Sequence, residues 1–464
     1  MSDSWATSGL DLHLDPTGPR VRAGLENTLR DAVRTGRLAT GLLLPSSRAL
    51  AADLGIARNT VAEAYSQLVA EGWLTAERGS GTRVADRGPA VAAATVAPGR
   101  PPGLPRYDLR PGSPDVSAFP RRAWLAATRR ALTAAPDEAL GYCDPRGRPE
   151  LRQALAGYLA RARGVQVTPD RVVVCSGYTQ GLALLCQVLR ARGAKVLAVE
   201  AVGQPTHRNA AVASGLAVDP LPVDSRGAVI SQLGHAAAVL LTPAHQFPFG
   251  AALAPQRRHQ VIDWAATTGG LVLEDDYDGE FRYDRQPVGA LQALAPERVV
   301  YGGTASKSLA PGLRLGWLVI PAGLVDEIVA VKDLTDRSTS SVEQLTLAEF
   351  IRSGGYDRQV RRSRLVYRRR RDRLVAALQR HGPDVSITGI TAGLHLLLEL
   401  PAGYTEAGLI ARAAARGLAL EGLSGYHATQ GPHPPALVVG YGTPTEHAFT
   451  GALARLTATL ADPR

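Results

Sequence analysis

"TASKSLAPGLRLGW", residues 304–317, sets a lysine between two serines and follows it, past a Pro-Gly step, with Arg314. The chain has only three lysines, Lys195, Lys307 and Lys332, among 52 basic residues, so Lys307 stands where arginine is the default. A lysine can shed its proton and attack a carbonyl carbon to form an imine; a guanidinium stays protonated. An aldehyde held in this way also needs an acid to steady its ring and a cradle for an anion. Both are readable nearby.

"GLVLEDDYDGEFRY" (270–283) ends a buried-type strand in acids. Asp275, or Asp276 one residue on, can keep a pyridine nitrogen protonated, and Tyr277 can hydrogen-bond a ring hydroxyl. Thr304, Ser306 and Arg314 surround Lys307 with phosphate-binding groups, although Thr304 and Ser306 also read as turn residues. In "CSGYTQGLALL" (175–185) a glycine turn enters a helix, so Tyr178 and Thr179 offer donors at a positive helix end. His245, in "LTPAHQFPFG" (241–250), reads equally as a packed loop histidine or a neighbour of the ligand.

Around this core, strand-like apolar runs alternate with helical stretches. The runs are RVVVCS (171–176), KVLAVE (195–200), AAVLLTP (237–243), RVVYGG (298–303) and LRLGWLVI (313–320). The segments between them, such as 181–193 and 255–270, are long enough for crossover helices, which predicts an α/β fold with a mostly parallel sheet covered on both faces. From about residue 360 the chain turns to a basic helix, with Arg361 to Arg373 read as a solvated face, and then to a smaller α/β region.

Upstream, the Pro-, Gly- and Ala-rich stretch 86–106 reads as a semi-rigid linker. The predicted division is a small domain over 10–86, a linker over 87–106 and a large domain over 107–464. In the small domain Leu25, Leu29 and Val33 recur at helical spacing. Ser46 can cap a second helix carrying Leu50 and Leu54, which Gly55 ends. Val61, Tyr65, Leu68 and Val69 share one face of a third, and "WLTAERGSGTRVA" (73–85) reads as a hairpin around a Gly-Ser-Gly tip. That order is a winged helix-turn-helix. Arg58, Asn59 and Thr60 would begin its reading helix, where such side chains reach base edges and phosphates; Arg48 would clamp the backbone, and the wing at Gly81 and Thr82 would approach a minor groove.

The totals agree with this division. Apolar residues make up 45% and charged residues 20%, which excludes a disordered chain. No apolar run is long enough to span a bilayer, and the opening MSDSWATSGLDLHLDP is not read as a secretory leader. Three cysteines without metal-like spacing suggest a reducing, cytoplasmic setting. A net charge of +10 is compatible with an anionic partner.

Residues 36–84, with LPSSR, RNTV, AY, EG and GSGT in order, resemble the GntR-type winged helix; the resemblance implies double-stranded DNA contacts at Arg48, Arg58, Asn59, Thr60, Gly81 and Thr82. Ala57 departs from it, standing where a capping Ser or Thr is usual. From Tyr107 onward the chain resembles fold-type I pyridoxal-phosphate enzymes of the aspartate aminotransferase group, with further matches in "RPGSPDVSAFPRRAW" (110–124) and "GYCDPRGRPELRQALAGYLARARGV" (141–165). Together the two halves resemble the MocR/GabR family of transcription regulators. That resemblance implies pyridoxal 5'-phosphate held as an internal Schiff base on Lys307, with Asp275 on the ring nitrogen and Tyr277 on the ring hydroxyl. It places the phosphate on Tyr178, Thr179, Thr304, Ser306 and Arg314, with His245 on a loop beside the cofactor. It also implies a homodimer whose reader domains are exchanged.

Two positions depart from the enzymes. "EAVGQP" (200–205) has Gln204 where a ring-stacking aromatic is expected, and "ALVVGYG" (436–442) has Val438 where an arginine would hold a substrate carboxylate; Arg208 is a possible substitute. The expectation is therefore a sensor of the cofactor rather than an enzyme, similar to the subgroup that controls vitamin B6 synthesis. The alternatives are a working aminotransferase, or a regulator of amino-acid metabolism answering to an amino acid joined to the cofactor.

Overall fold

The computed structural model describes residues 21–77, 80–86, 105–283, 288–381, 385–429 and 431–461. The opening stretch, most of the expected linker and Gly79 of the wing tip lie outside the described residues. Contacts divide the chain into two units, Met1–Pro102 and Gly103–Arg464.

In the first unit, α1 (Val21–Arg34), α2 (Ser47–Leu54) and α3 (Arg58–Ala70) precede a hairpin of β1 (Leu74–Glu77) and β2 (Gly81–Val84). Ser46 accepts a hydrogen bond from the Ala49 N–H and Gly55 closes α2 in the left-handed region, as their side chains or lack of one dictate. Leu25, Leu29, Leu50, Val61, Tyr65, Leu68, Leu74 and Val84 form its core. In α1 the third inward residue is Ala32, with Val33 only partly buried. The Tyr65 hydroxyl donates to the Pro45 carbonyl at 3.0 Å, tying α3 to the turn ahead of α2. Ala57 makes no side-chain cap, so α3 starts without one.

The second unit is built on seven strands: β3 (Val172–Cys175), β4 (Val196–Glu200), β5 (Ala217–Leu221), β6 (Ala238–Leu241), β7 (Leu271–Asp275), β8 (Val299–Thr304) and β9 (Gly316–Val319). Their order is β3-β9-β8-β7-β6-β4-β5, parallel except that β9 runs antiparallel to both neighbours. Alternate residues feed opposite faces. Val173 and Leu273 pack with Leu182 and Leu185 of the helix Tyr178–Ala191, while Val172 and Val174 pack with Leu151 and Leu155 of the helix Pro149–Arg163. Burial on both faces is why these strands read as continuous apolar runs.

The helix Gly355–His381 then leads to an antiparallel sheet of Ser386–Thr388, His395–Glu399 and Ala436–Gly440. Its basic run is not all solvated. Tyr367, Arg370, Leu374 and Leu378 face inward, and the Arg370 side chain, 2% exposed, pairs with Asp115 at 2.9 Å and donates to the Pro444 carbonyl at 2.7 Å. The first turn of this helix places the Tyr356 hydroxyl 2.7 Å from Ser308 Oγ, beside Lys307. Among the described residues no helix is long and apolar enough to cross a membrane.

Candidate functional site

Parallel strands end together at one edge of a sheet, and the loops leaving them enclose a cavity of about 490 Å³. Asp275 comes from the end of β7, Thr304 from the end of β8, and Ser306 and Lys307 from the turn that follows. Tyr178 and Thr179 come from the start of the helix after β3, and Arg314 from the residues before β9. With Tyr277, all eight of these expected residues line the one cavity.

The details distinguish Asp275, the expected partner of the ring nitrogen, from its neighbour Asp276. Asp276 is committed: Arg163 donates to both its oxygens, at 2.6 and 3.0 Å, and the Tyr301 hydroxyl adds a third bond at 2.7 Å. Asp275 is buried, and its Oδ1 has no hydrogen-bond partner among the described residues. Burial, and then the Asp276 charge, hold its carboxyl well above the usual range, while Lys307 pulls it down. A buried acceptor without a donor costs about 1–3 kcal/mol, so this carboxyl is matched to a cationic N–H arriving in the cavity. Lys307 Nζ donates to the Gly112 carbonyl. Burial lowers its pKa, opposed by Asp275 and Asp278, which brings the neutral nucleophilic amine nearer to physiological pH.

The residues expected to hold a phosphate are also drawn together. The guanidinium of Arg314, itself in the left-handed region at φ 53°, donates to the Ser176 carbonyl and lies against Gly177. The Thr304 and Ser306 hydroxyls are 2.9 Å apart, and the Ser306 N–H donates to Thr304 Oγ1 at 3.1 Å. Both hydroxyls therefore also serve the turn. Gly302 is required here because a Cβ would come within 2.2 Å of the Tyr178 ring.

His245 does not line the cavity. It lies buried behind Tyr277, with Nδ1 at 2.8 Å from Asp278 Oδ2 and 3.1 Å from the Tyr277 hydroxyl. Arg208 does line it, but its terminal nitrogens donate to the carbonyls of Gly203, Tyr426 and His427. Val438 is fully buried in an apolar cluster with Phe247 and Tyr426. Neither Val438 nor Arg208 presents a free fork for a carboxylate.

Sequence reasoning missed His207. It lies three residues beyond Gln204, with its ring centroid 5.3 Å from that of Tyr178 and its Nε2 3.8 Å from Asp275 Oδ2. Burial, then the charges of Lys307 and Arg208, push it down to about 4, so the ring stays neutral. An aromatic ring one helical turn past the expected position was the available signal.

In the first unit, Arg48, Arg58, Asn59 and Gly81 are exposed and Thr60 and Thr82 half-buried. No side-chain hydrogen bond or ion pair among the described residues occupies those of Arg48, Arg58 and Asn59. Arg58, Asn59 and Thr60 form the first turn of α3.

Comparison with known proteins gives both halves a family. Residues 22–84 match the model of bacterial regulatory proteins of the gntR family, and residues 112–422 match aminotransferase class I and II. The pyridoxine biosynthesis transcriptional regulator PdxR of Corynebacterium glutamicum is 32% identical over 96% of this chain and 98% of its own length. The probable rhizopine catabolism regulatory protein MocR of Rhizobium meliloti is 32% identical over 80% of each chain. This chain belongs to the MocR family of transcription regulators. The large unit of this MocR-family regulator has the aminotransferase fold. An archaeal alanine:glyoxylate aminotransferase structure superposes with a TM-score of 0.70 at 24% identity, covering 76% of this chain and 90% of the other.

Proposed function

We propose that residues 10–86 read double-stranded DNA and that residues 107–464 sense pyridoxal 5'-phosphate, bound covalently at Lys307, with cofactor occupancy altering operator affinity. The observation that carries this is the buried, unpartnered Asp275 Oδ1 sharing a cavity with a lysine whose pKa burial lowers. When bound, the cofactor supplies an electrophilic aldehyde carbon and a protonated ring nitrogen. Lys307 Nζ would be the amine placed to condense with that carbon. Asp275 would accept from the ring N–H, and Tyr277, held by His245 and Asp278, would meet the ring hydroxyl. Arg314, Thr304, Ser306 and the helix start at Tyr178 and Thr179 would hold the phosphate.

Among the described residues neither lining arginine, Arg208 or Arg314, is free to hold a carboxylate, so the cavity suits the cofactor itself better than an amino-acid substrate, which favours a sensor over an enzyme. Genes of vitamin B6 synthesis are the regulated class that fits, supported by the similarity to PdxR. A homodimer is part of the reading: Leu125 and Tyr142 of the large unit are 66% and 88% exposed, large apolar groups suited to a partner surface. A ligand acts as a switch only through different affinity for two states, so occupancy must move operator binding.

The test is an absorbance titration with pyridoxal phosphate run in parallel with binding to DNA upstream of the chain's own gene. The expected result is a visible band that Lys307→Ala abolishes and a change in DNA affinity as the band forms. A protein that stays colourless refutes the sensor, and a coloured protein with unaltered DNA binding refutes the coupling.

A further inference from the structure

Lys332 is one of the three lysines, it is fully buried, and it lies outside the cavity. Burying an ammonium is costly unless it is paired, and a buried pair is commonly no more stabilising than apolar side chains of the same volume. Its place calls for a task that packing cannot perform.

The hydrogen bonds supply one. Lys332, on the helix Val325–Thr335, donates from Nζ to Asp336 Oδ1 at 2.6 Å. The other oxygen of Asp336 accepts from Gln180 Nε2 at 2.7 Å. Gln180 Oε1 in turn accepts the Ser176 N–H at 2.6 Å. Ser176 is thus held from two sides, its N–H by this chain of bonds and its carbonyl by Arg314. The next residue, Gly177, bends at φ 88° into the helix whose first residues, Tyr178 and Thr179, line the cavity with Arg314.

An amide side chain has a donor end and an acceptor end, and only one orientation serves Ser176. The Asp336 carboxylate accepts and cannot donate, so it selects that orientation; Lys332 in turn fixes the rotamer of Asp336. We propose that Lys332, acting through Asp336 and Gln180, is a positioning residue for the phosphate-binding turn, setting the preference of the cavity for phosphorylated over unphosphorylated pyridoxal. This inference rests on the proposed cofactor site.

The experiment titrates the full chain, wild type and variants, with pyridoxal phosphate and separately with pyridoxal, following the visible absorbance of the covalent adduct. Lys332→Met and Gln180→Met each lower affinity for pyridoxal phosphate about tenfold, the size of one hydrogen bond to a charged group, and leave affinity for pyridoxal within about twofold. The double variant loses no more than either single one, because both cut the same chain of bonds. Gln180→Met leaves the buried ion pair intact and so serves where Lys332→Met fails to fold. Equal weakening of both ligands, or an unchanged ratio in Gln180→Met, overturns the positioning role. A wild type that forms an adduct with neither ligand overturns the cofactor site itself, a different failure.

Discussion

Replacing Asp275 with Asn should move two quantities in opposite directions. In the cofactor-free protein the carboxyl is 3% exposed, Oδ1 has no partner among the described residues, and burial holds its pKa well above the ordinary 3.8. A raised native pKa means that the folded protein keeps a proton that the unfolded chain releases, so stability falls as pH climbs above 3.8 towards the native value. An amide has no such titration. The cofactor-free Asp275→Asn variant should therefore match or exceed the wild type in thermal midpoint at neutral pH. Cofactor binding moves the other way, because a charge-assisted hydrogen bond to the ring is lost. Such a bond is worth about 1.5–3 kcal/mol, and at about 1.4 kcal/mol per tenfold this means roughly 10- to 150-fold weaker binding of pyridoxal phosphate. Asp276→Asn provides the contrast. It strands the Arg163 guanidinium, whose side chain is 5% exposed, and should cost about 3–5 kcal/mol of stability. Thermal unfolding without cofactor and absorbance titration with it measure the two quantities. An Asp275→Asn protein that binds the cofactor as tightly as the wild type, or one that melts well below it while Asp276→Asn is unharmed, refutes the assignment of the two acids.

Burial pushes Glu200 up from 4.5 to about 7 against the hydrogen bonds from Thr242 and Gln246, so it withdraws up to about 3 kcal/mol of stability as pH rises between those values; Glu200→Gln should flatten that part of the stability curve, and an unchanged slope in denaturant melts contradicts it. Arg58→Ala, at the start of α3, should weaken specific DNA binding by about 1–3 kcal/mol and relax its sequence preference, whereas Arg48→Ala should weaken all sequences alike; competition binding at fixed salt distinguishes them. Ala57→Ser restores a cap to α3 and should stabilise the first unit by about 1 kcal/mol, read as a shift in its thermal midpoint.

The reading from sequence was strongest where one residue type has few uses. Lys307 among so many arginines, acids at the end of an apolar strand, and a glycine turn into a helix each carry their chemistry on their face, and the structure gathers them around one cavity. The six apolar runs became strands because burial on both faces leaves no other pattern for them. What could not be read was proximity between distant segments. His207 meets Asp275 because β4 and β7 flank β6, and its ring in the sequence marks a candidate without showing that contact. Gln180 and Asp336 are 156 residues apart. That Asp276 is taken up by Arg163, from the helix Pro149–Arg163, likewise could not be read from the strand end alone. Arg370 is a different case: its spacing from Tyr367 and Leu374 placed it on the inner face of its helix, and the run of arginines obscured that.

The helix Gly355–His381 has 27 residues and so runs about 40 Å. At one end Tyr356 grips Ser308, the neighbour of Lys307; at the other Leu374 and Leu378 are embedded in the core of the C-terminal sheet. It joins the turn that carries Lys307 to that core as one continuous rod. A tilt of one degree about its first turn would sweep the far end through about 0.7 Å at that length. If adduct formation at Lys307 shifts Ser308, this helix is the element placed to carry that shift to the C-terminal sheet.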